Sequence, residues 1–244
     1  MAVIAVYSLK GGVGKTTLAV NLAWSSAVQS SRRTLLWDLD PQAAASFLLG
    51  HEGRSKGAAQ AVFSRDVAPE KLVAPTEIER LHLLAADVSL RGLDTLLFSM
   101  GKKKRLAKLL EGLAKDFDRV ILDCPPGLTE TSEQVMRAAD AILVPVIPSP
   151  LSRRAFADVV SHLDREHKGH GPILPVFSMV DRRRTLHRQA LAADPDWPVI
   201  PMASAVEQMA VLRKPIGVFA AQSLAGEAFA ALWRGVEAKL ARVR

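Results

Sequence analysis

The chain has 244 residues, 49% of them hydrophobic, with 32 Lys and Arg against 25 Asp and Glu and a formal charge of +7. That length supports one large α/β domain with a substantial core rather than two. The basic excess permits contact with nucleic acid or an anionic membrane without requiring it. The single cysteine, Cys124, excludes an intramolecular disulfide and any C-x-x-C metal or redox site. No apolar run approaches the roughly 20 residues of a membrane-spanning helix.

Residues 2–7, AVIAVY, are apolar and β-branched and read as a buried parallel strand. The glycine-rich turn KGGVGKTT (10–17) follows, and Leu18, Leu22 and Trp24 then fall at helical spacing within 14–29. TLLWDLD (34–40) reads as a second buried strand, ending in carboxylates. Residues 50–80 carry Gly, Ala and charge without a clear period. In 104–114, Leu106, Leu109, Leu110 and Leu113 share one helical face. RVILDCPP (119–126) repeats the strand logic: an apolar body, an acid, then prolines that stop it. AILVPVIP (141–148), ILPVFSMV (173–180) and PVI (198–200) continue the series. Strands alternating with helices predict an α/β fold, a mostly parallel sheet flanked by helices on both faces, as one domain over 1–244.

A strand, a glycine-rich turn and Lys-Thr opening a helix are the context of a phosphate loop. Gly11, Gly12 and Gly14 let backbone N–H groups converge on phosphate oxygens, and Val13 and Thr17 complete the loop. Lys15 would reach the β- and γ-phosphates of a nucleotide, and the Thr16 hydroxyl would hold Mg²⁺. In G-x-x-x-x-G-K-[ST], however, the first glycine would stand at position 9, which is Leu9, and a second lysine, Lys10, comes next. Sites on parallel sheets form beyond the carboxyl ends of strands. Asp38, Asp40 and Asp123 stand at such ends, and Asp123 fits a Walker-B aspartate serving Mg²⁺. Cys124 reads as a small buried residue.

Together KGGVGKTT, LLWDLDPQAA and RVILDCPPGL resemble the ParA/MinD family of deviant Walker-A ATPases. The match continues through AADAILVPV and RKPIGVFAAQSLAGEAFAAL. Within that family the chain is most similar to small ParA-type partitioning proteins. The resemblance implies a P-loop NTPase fold, ATP and Mg²⁺ as cofactors, and slow ATP hydrolysis. It also implies a face-to-face homodimer with ATP in the interface, which answers for the second lysine. Lys10 would reach across the dimer to phosphates held by the other subunit, Asp40 would position the attacking water, Asp38 would sit near the metal, and Gly12 would lie at the dimer contact. Met179, Asp181, Pro201 and Met202 match strand ends where the base sits in relatives.

Arg182, Arg183, Arg184 and Arg188 follow residues 173–180, and Arg183 best matches a nonspecific DNA-binding arginine of ParA relatives. Arg213 and Lys214 form a second candidate DNA contact, and Lys102 to Arg105 and Arg153-Arg154 are further clusters. Where many relatives carry Glu-Ala and an earlier basic residue, this chain has Gln208-Met209 and Ala205. The expected partners are therefore nonspecific double-stranded DNA and a ParB-like or other cargo-bound protein that stimulates hydrolysis, in the cytoplasm on the nucleoid. In the final segment Phe229, Leu232, Trp233, Val236 and Leu240 share a helical face. We expect this helix to pack on the domain. The alternative is a membrane-surface helix, as in a MinD-like membrane-cycling ATPase.

Overall fold

The computed structural model describes residues 1–51, 57–64, 66–101 and 103–243. Lys102 of the first basic cluster lies outside them. The elements run β1 (Ala2–Val6), α1 (Lys15–Val28), β2 (Thr34–Asp38), α2 (Ala44–Leu48), α3 (Ala58–Ser64), β3 (Val73–Pro75), β4 (Leu81–Leu84), α4 (Leu93–Met100) and α5 (Arg105–Leu113). They continue with β5 (Arg119–Asp123), α6 (Glu130–Ala138), β6 (Ala141–Val146), α7 (Pro150–Glu166), β7 (Ile173–Val180), α8 (Thr185–Ala193), β8 (Val199–Pro201), α9 (Ser204–Leu212), α10 (Ile216–Phe219) and α11 (Leu224–Val243). The strands form one sheet in the order β3-β4-β2-β5-β1-β6-β7-β8. Every pair is parallel except β3 with β4 at one edge. The expected α/β architecture is therefore present, with two strands, β3 and β4, that the sequence pattern did not disclose.

The period of two along each strand sorts the core into two layers. Val3, Ala5, Leu35, Trp37, Val120 and Leu122 face α3 to α7. Ala2, Ile4, Val6, Leu36 and Ile121 face α1, α2 and α9 to α11. Because both faces are covered, the central strands are buried along their whole length, and this is why they read as unbroken apolar runs. The same alternation aims Asp38 and Asp123 toward the α1 face. The register places these two strand-end residues directly side by side, with Val6 of β1 beyond Asp123.

The terminal helix is a core element. Phe229, Leu232, Trp233, Val236 and Leu240 are all buried, in the layer that contains α1. The Trp233 indole donates to Ser30 Oγ at 2.8 Å, and Glu237 takes a two-pronged ion pair from Arg119 at the start of β5 (2.7 and 3.0 Å). Among the described residues no helix is long and apolar enough to cross a membrane. Trp233→Ala removes the largest side chain of this helix face together with its hydrogen bond. Equilibrium urea unfolding should show a loss of about 3–5 kcal/mol, the usual cost of truncating a buried aromatic.

Candidate nucleotide and metal site

The loop between β1 and α1 is anchored at both ends. Lys10 N donates to Ser8 Oγ at 3.3 Å, and Lys15 Nζ folds back to the Lys10 carbonyl at 3.1 Å. From the neighbouring layer Ser178 Oγ donates to the Val13 carbonyl at 2.7 Å. Gly14 precedes α1 with a φ of 89°, and a Cβ there would come within 3.0 Å of Ser178 Oγ, so this position requires glycine. No acidic side chain lies in the first turn of α1, which leaves its N-terminal N–H groups and positive dipole end open to an anion. Lys15 is itself buried. Burial pulls its pKa down, and the charge of Asp123 pulls it back up.

The two paired aspartates live in different environments. Asp38 is buried but well supplied: its Oδ1 accepts from Asp40 N (3.1 Å), and its Oδ2 accepts from Ser46 N (2.9 Å) and Ser46 Oγ (2.8 Å). Burial nevertheless pushes its pKa up to about 6. Asp123 is fully buried, and among the described residues neither of its oxygens has a hydrogen-bond partner. Burial first, and then the neighbouring charge of Asp38, hold its pKa well above the usual carboxylate range. Thr16 and Lys15 nearby pull it the other way. An unpartnered buried carboxylate is costly, and a hard cation is the ligand that would satisfy it. Asp123 and the Thr16 hydroxyl therefore fit Mg²⁺. Asp38, expected near the metal, spends its oxygens on Ser46 and on the backbone leading to Asp40, so in this structure it organises the loop. Asp40 is only partly buried and accepts from Gln42 N at 2.9 Å, which closes the turn before α2.

A recess of about 80 Å³ opens beside the loop. Gly14, Thr17, Met179, Pro201, Met202 and Val206 are among the residues that line it. Met179 reaches it through a local irregularity. Pairing of β7 with β8 slips between Phe177 and Val180, Met179 takes a φ of 55°, and its side chain turns outward. Three of the four strand-end residues expected near the base thus meet at one recess. Asp181, the fourth, does not line it; the residue forms a forked ion pair with Arg183 (2.9 and 3.0 Å) that holds its carboxyl at about 2.

The basic clusters separate into cations held in the packing and cations at the exposed surface. Arg153 ion-pairs with Asp194, donates to the Ala190 carbonyl and lies over the Phe177 and Trp197 rings. Arg105 is buried against the Val62 and Phe63 carbonyls. These two belong to the packing and not to a nucleic-acid surface. Arg182, Arg183, Arg184 and Arg188 cluster at the exposed start of α8, where Arg188 caps the Arg182 and Arg183 carbonyls. Arg213 sits over the Phe47 ring at 4.5 Å, with exposed Lys214 beside it. Sequence reasoning missed Ser46 and Ser178, which fix Asp38 and the loop. Neither serine has a pattern around it that could have revealed it.

A family model described as an AAA domain matches residues 1–172. The chain is 32% identical over 195 residues to the chromosome partitioning protein ParA of Myxococcus xanthus, covering 78% of this chain and 69% of that one. Curated relatives are matched over 47% to 73% of their own length. Among solved structures it is similar to cobyrinic acid a,c-diamide synthase from Mycobacterium smegmatis with bound ATP analog and magnesium (27% identity, TM-score 0.82, 97% of this chain and 94% of that one). It is equally similar to apo McdA from Cyanothece (25% identity, TM-score 0.82, 98% and 99%). The chain belongs to the ParA/MinD family of ATPases.

The state of Asp123 generates a prediction. In ligand-free protein at pH 8, Asp123→Asn should raise the melting temperature, because it removes a buried carboxyl whose charge folding disfavours. The gain should shrink toward pH 5, since protonation of a carboxyl whose folded pKa is raised removes the same charge. Differential scanning calorimetry at the two pH values, without nucleotide or Mg²⁺, checks both parts.

Proposed function

We propose that this chain is a ParA-type switch. It binds ATP with Mg²⁺, closes into a face-to-face homodimer around the nucleotide, and in that state binds double-stranded DNA without sequence preference. Slow hydrolysis, accelerated by a cargo-bound partner protein, releases it. The observation that carries this reading is at the phosphate loop. Among the described residues the Lys10 ammonium has no acceptor in its own chain, while Lys15 already serves the loop from within. A Cβ added at Gly11, whose φ is not positive, would meet no described atom within 4 Å, so a need for a small residue there would come from a surface brought in from outside, whereas the φ of 69° at Gly12 already favours glycine. Both features suit close approach of a second subunit that receives Lys10 at its phosphates.

In this reading Gly11, Gly12, Val13, Gly14, Lys15, Thr16 and Thr17 wrap the phosphates through backbone N–H groups and the helix end. Met179, Pro201 and Met202 cover the base in the adjoining recess. Thr16 and Asp123 hold Mg²⁺, which supplies charge neutralisation at the β- and γ-phosphate oxygens. Asp40, at the open end of β2, orients a water for in-line attack on the γ-phosphorus. Lys15 from one side and Lys10 from the other stabilise the charge that develops on the phosphoryl oxygens. Arg182, Arg183, Arg184, Arg188, Arg213 and Lys214 supply phosphate contacts to DNA. Arg183 must exchange its Asp181 partner for a phosphate, an exchange between exposed groups. Against a membrane-cycling role stands α11, whose apolar face is buried in the core.

The test is retention on nonspecific duplex DNA, with anionic vesicles in parallel, under ATP·Mg²⁺ and under ADP at two salt concentrations. We expect salt-sensitive DNA retention with ATP alone, lost in Lys10→Ala and weakened in Arg183→Ala. Retention on vesicles but not on DNA would overturn the reading. In steady-state assays Lys10→Ala should also lower the hydrolysis rate by about 10²–10³-fold, the usual cost of removing one preorganised charge from a transition state.

A further inference from the structure

A second cluster of ligand-type side chains lies on the other face of the sheet, in the layer formed by α6 and α7. Glu133 belongs to the first half of α6, after a capping box in which Thr129 and Ser132 bond reciprocally. His162 is on α7, and His167 is the residue at which α7 ends. Five residues apart on an unbroken helix, the two rings would point about 140° from each other. The break at His167, where φ and ψ move to −127° and 58°, swings its ring back beside His162. The ring centroids are 5.6 Å apart, and both Nε2 atoms aim at the same carboxylate. His162 Nε2 lies 2.6 Å from Glu133 Oε1, and His167 Nε2 lies 2.7 Å from Glu133 Oε2.

We infer that Glu133, His162 and His167 form a binding site for one first-row transition-metal dication of the zinc class, separate from the nucleotide site. The three donor atoms all lie within 4.8 Å of one another. Bound tetrahedrally to one ion at about 2.0–2.2 Å, such donors stand about 3.3–3.6 Å apart, so small side-chain adjustments suffice. Two imidazoles and a carboxylate are a donor set for zinc and its neighbours rather than for Mg²⁺ or Ca²⁺, which take oxygen. His167 is buried, and among the described residues its Nδ1 has no hydrogen-bond partner, so the Glu133 contact is the hydrogen bond that orients the ring. A cavity of about 320 Å³ adjoins the cluster, lined by Glu130, Glu166, Lys103 and Arg137 as well as Glu133 and His162. It gives an ion a way in and room for water or a further carboxylate as fourth ligand. Arg137 lies 3.5 Å from Glu133 Oε2, the oxygen that His167 also contacts, so an ion bound through Oε1 would leave Oε2 to Arg137. An ion here would clamp α6 to the end of α7.

The experiment is a Co²⁺ titration of the nucleotide-free 244-residue chain, followed by visible absorption, with Zn²⁺ as competitor. One equivalent should give the intense d–d bands of a four- or five-coordinate ion, Zn²⁺ should abolish them, and Zn²⁺ should raise the melting temperature. His162→Gln and Glu133→Gln should each weaken binding by more than about 100-fold, above the cost of losing a supporting hydrogen-bond partner. Thr16→Ala, which alters the Mg²⁺ position proposed above, should leave the bands unchanged. Because His167 is buried, its variant could unfold; the more accessible His162 carries the test, with circular dichroism as the check on folding. Absence of the bands at stoichiometric Co²⁺, their persistence in folded His162→Gln, or their loss in Thr16→Ala would overturn the proposal. The last result would assign the ion to the nucleotide site.

Discussion

Two carboxylates, Asp38 and Asp123, end adjacent parallel strands in register and are buried side by side beneath the start of α1. Like charges this close in a dry interior oppose each other's ionisation, and burial opposes both. The structure resolves the conflict asymmetrically. Asp38 receives three hydrogen bonds, two from Ser46 and one from the backbone of Asp40. Asp123 receives none among the described residues, where the nearby Lys15 and Thr16 offset it. The first arrangement fixes a loop; the second leaves a deficit of positive charge that a Mg²⁺ ion brought with a nucleotide would fill.

The rest of the molecule can be traced to that constraint. Burial of both sheet faces makes the interior dry, and the β2–β5 register brings the acids together. Ser178 on β7 props the loop from its far side, and the slip in β7 that exposes Met179 opens the recess next to it. The terminal helix, tied by Trp233 and by the Arg119–Glu237 pair, closes the layer that carries α1. Stability is thus concentrated around a site that is itself destabilising when empty, the usual trade at a binding centre.

Much of this was legible in the sequence because the central strands are buried on both faces and end abruptly in acids. Residues 34–40 and 119–126 announced themselves in that way, and 10–17 by its glycines. β3 and β4 did not: Leu81 to Leu84 is a four-residue strand interrupted by His82, and it follows a stretch without period. The Ser46 contacts were hidden because α2 starts from Ala43 with a φ of 53°, a turn that no glycine marks. Cation clusters misled most. Arg153 and Arg105 read like their neighbours, yet one pairs with Asp194 over two aromatic rings and the other bonds buried carbonyls. A run of charges does not disclose which members the fold has already used. The Glu133, His162 and His167 cluster was invisible for a related reason, since its members meet only across two helices.

The most direct test of the central claim is calorimetric titration of ATP into the wild-type chain and into Asp123→Asn, each with and without Mg²⁺. The account predicts that Mg²⁺ strengthens ATP binding to the wild type by tenfold or more, about 1.4 kcal/mol, and that the enhancement disappears in Asp123→Asn. Equal ATP affinity with and without Mg²⁺ in the wild type, or an undiminished Mg²⁺ effect in the variant, would contradict it.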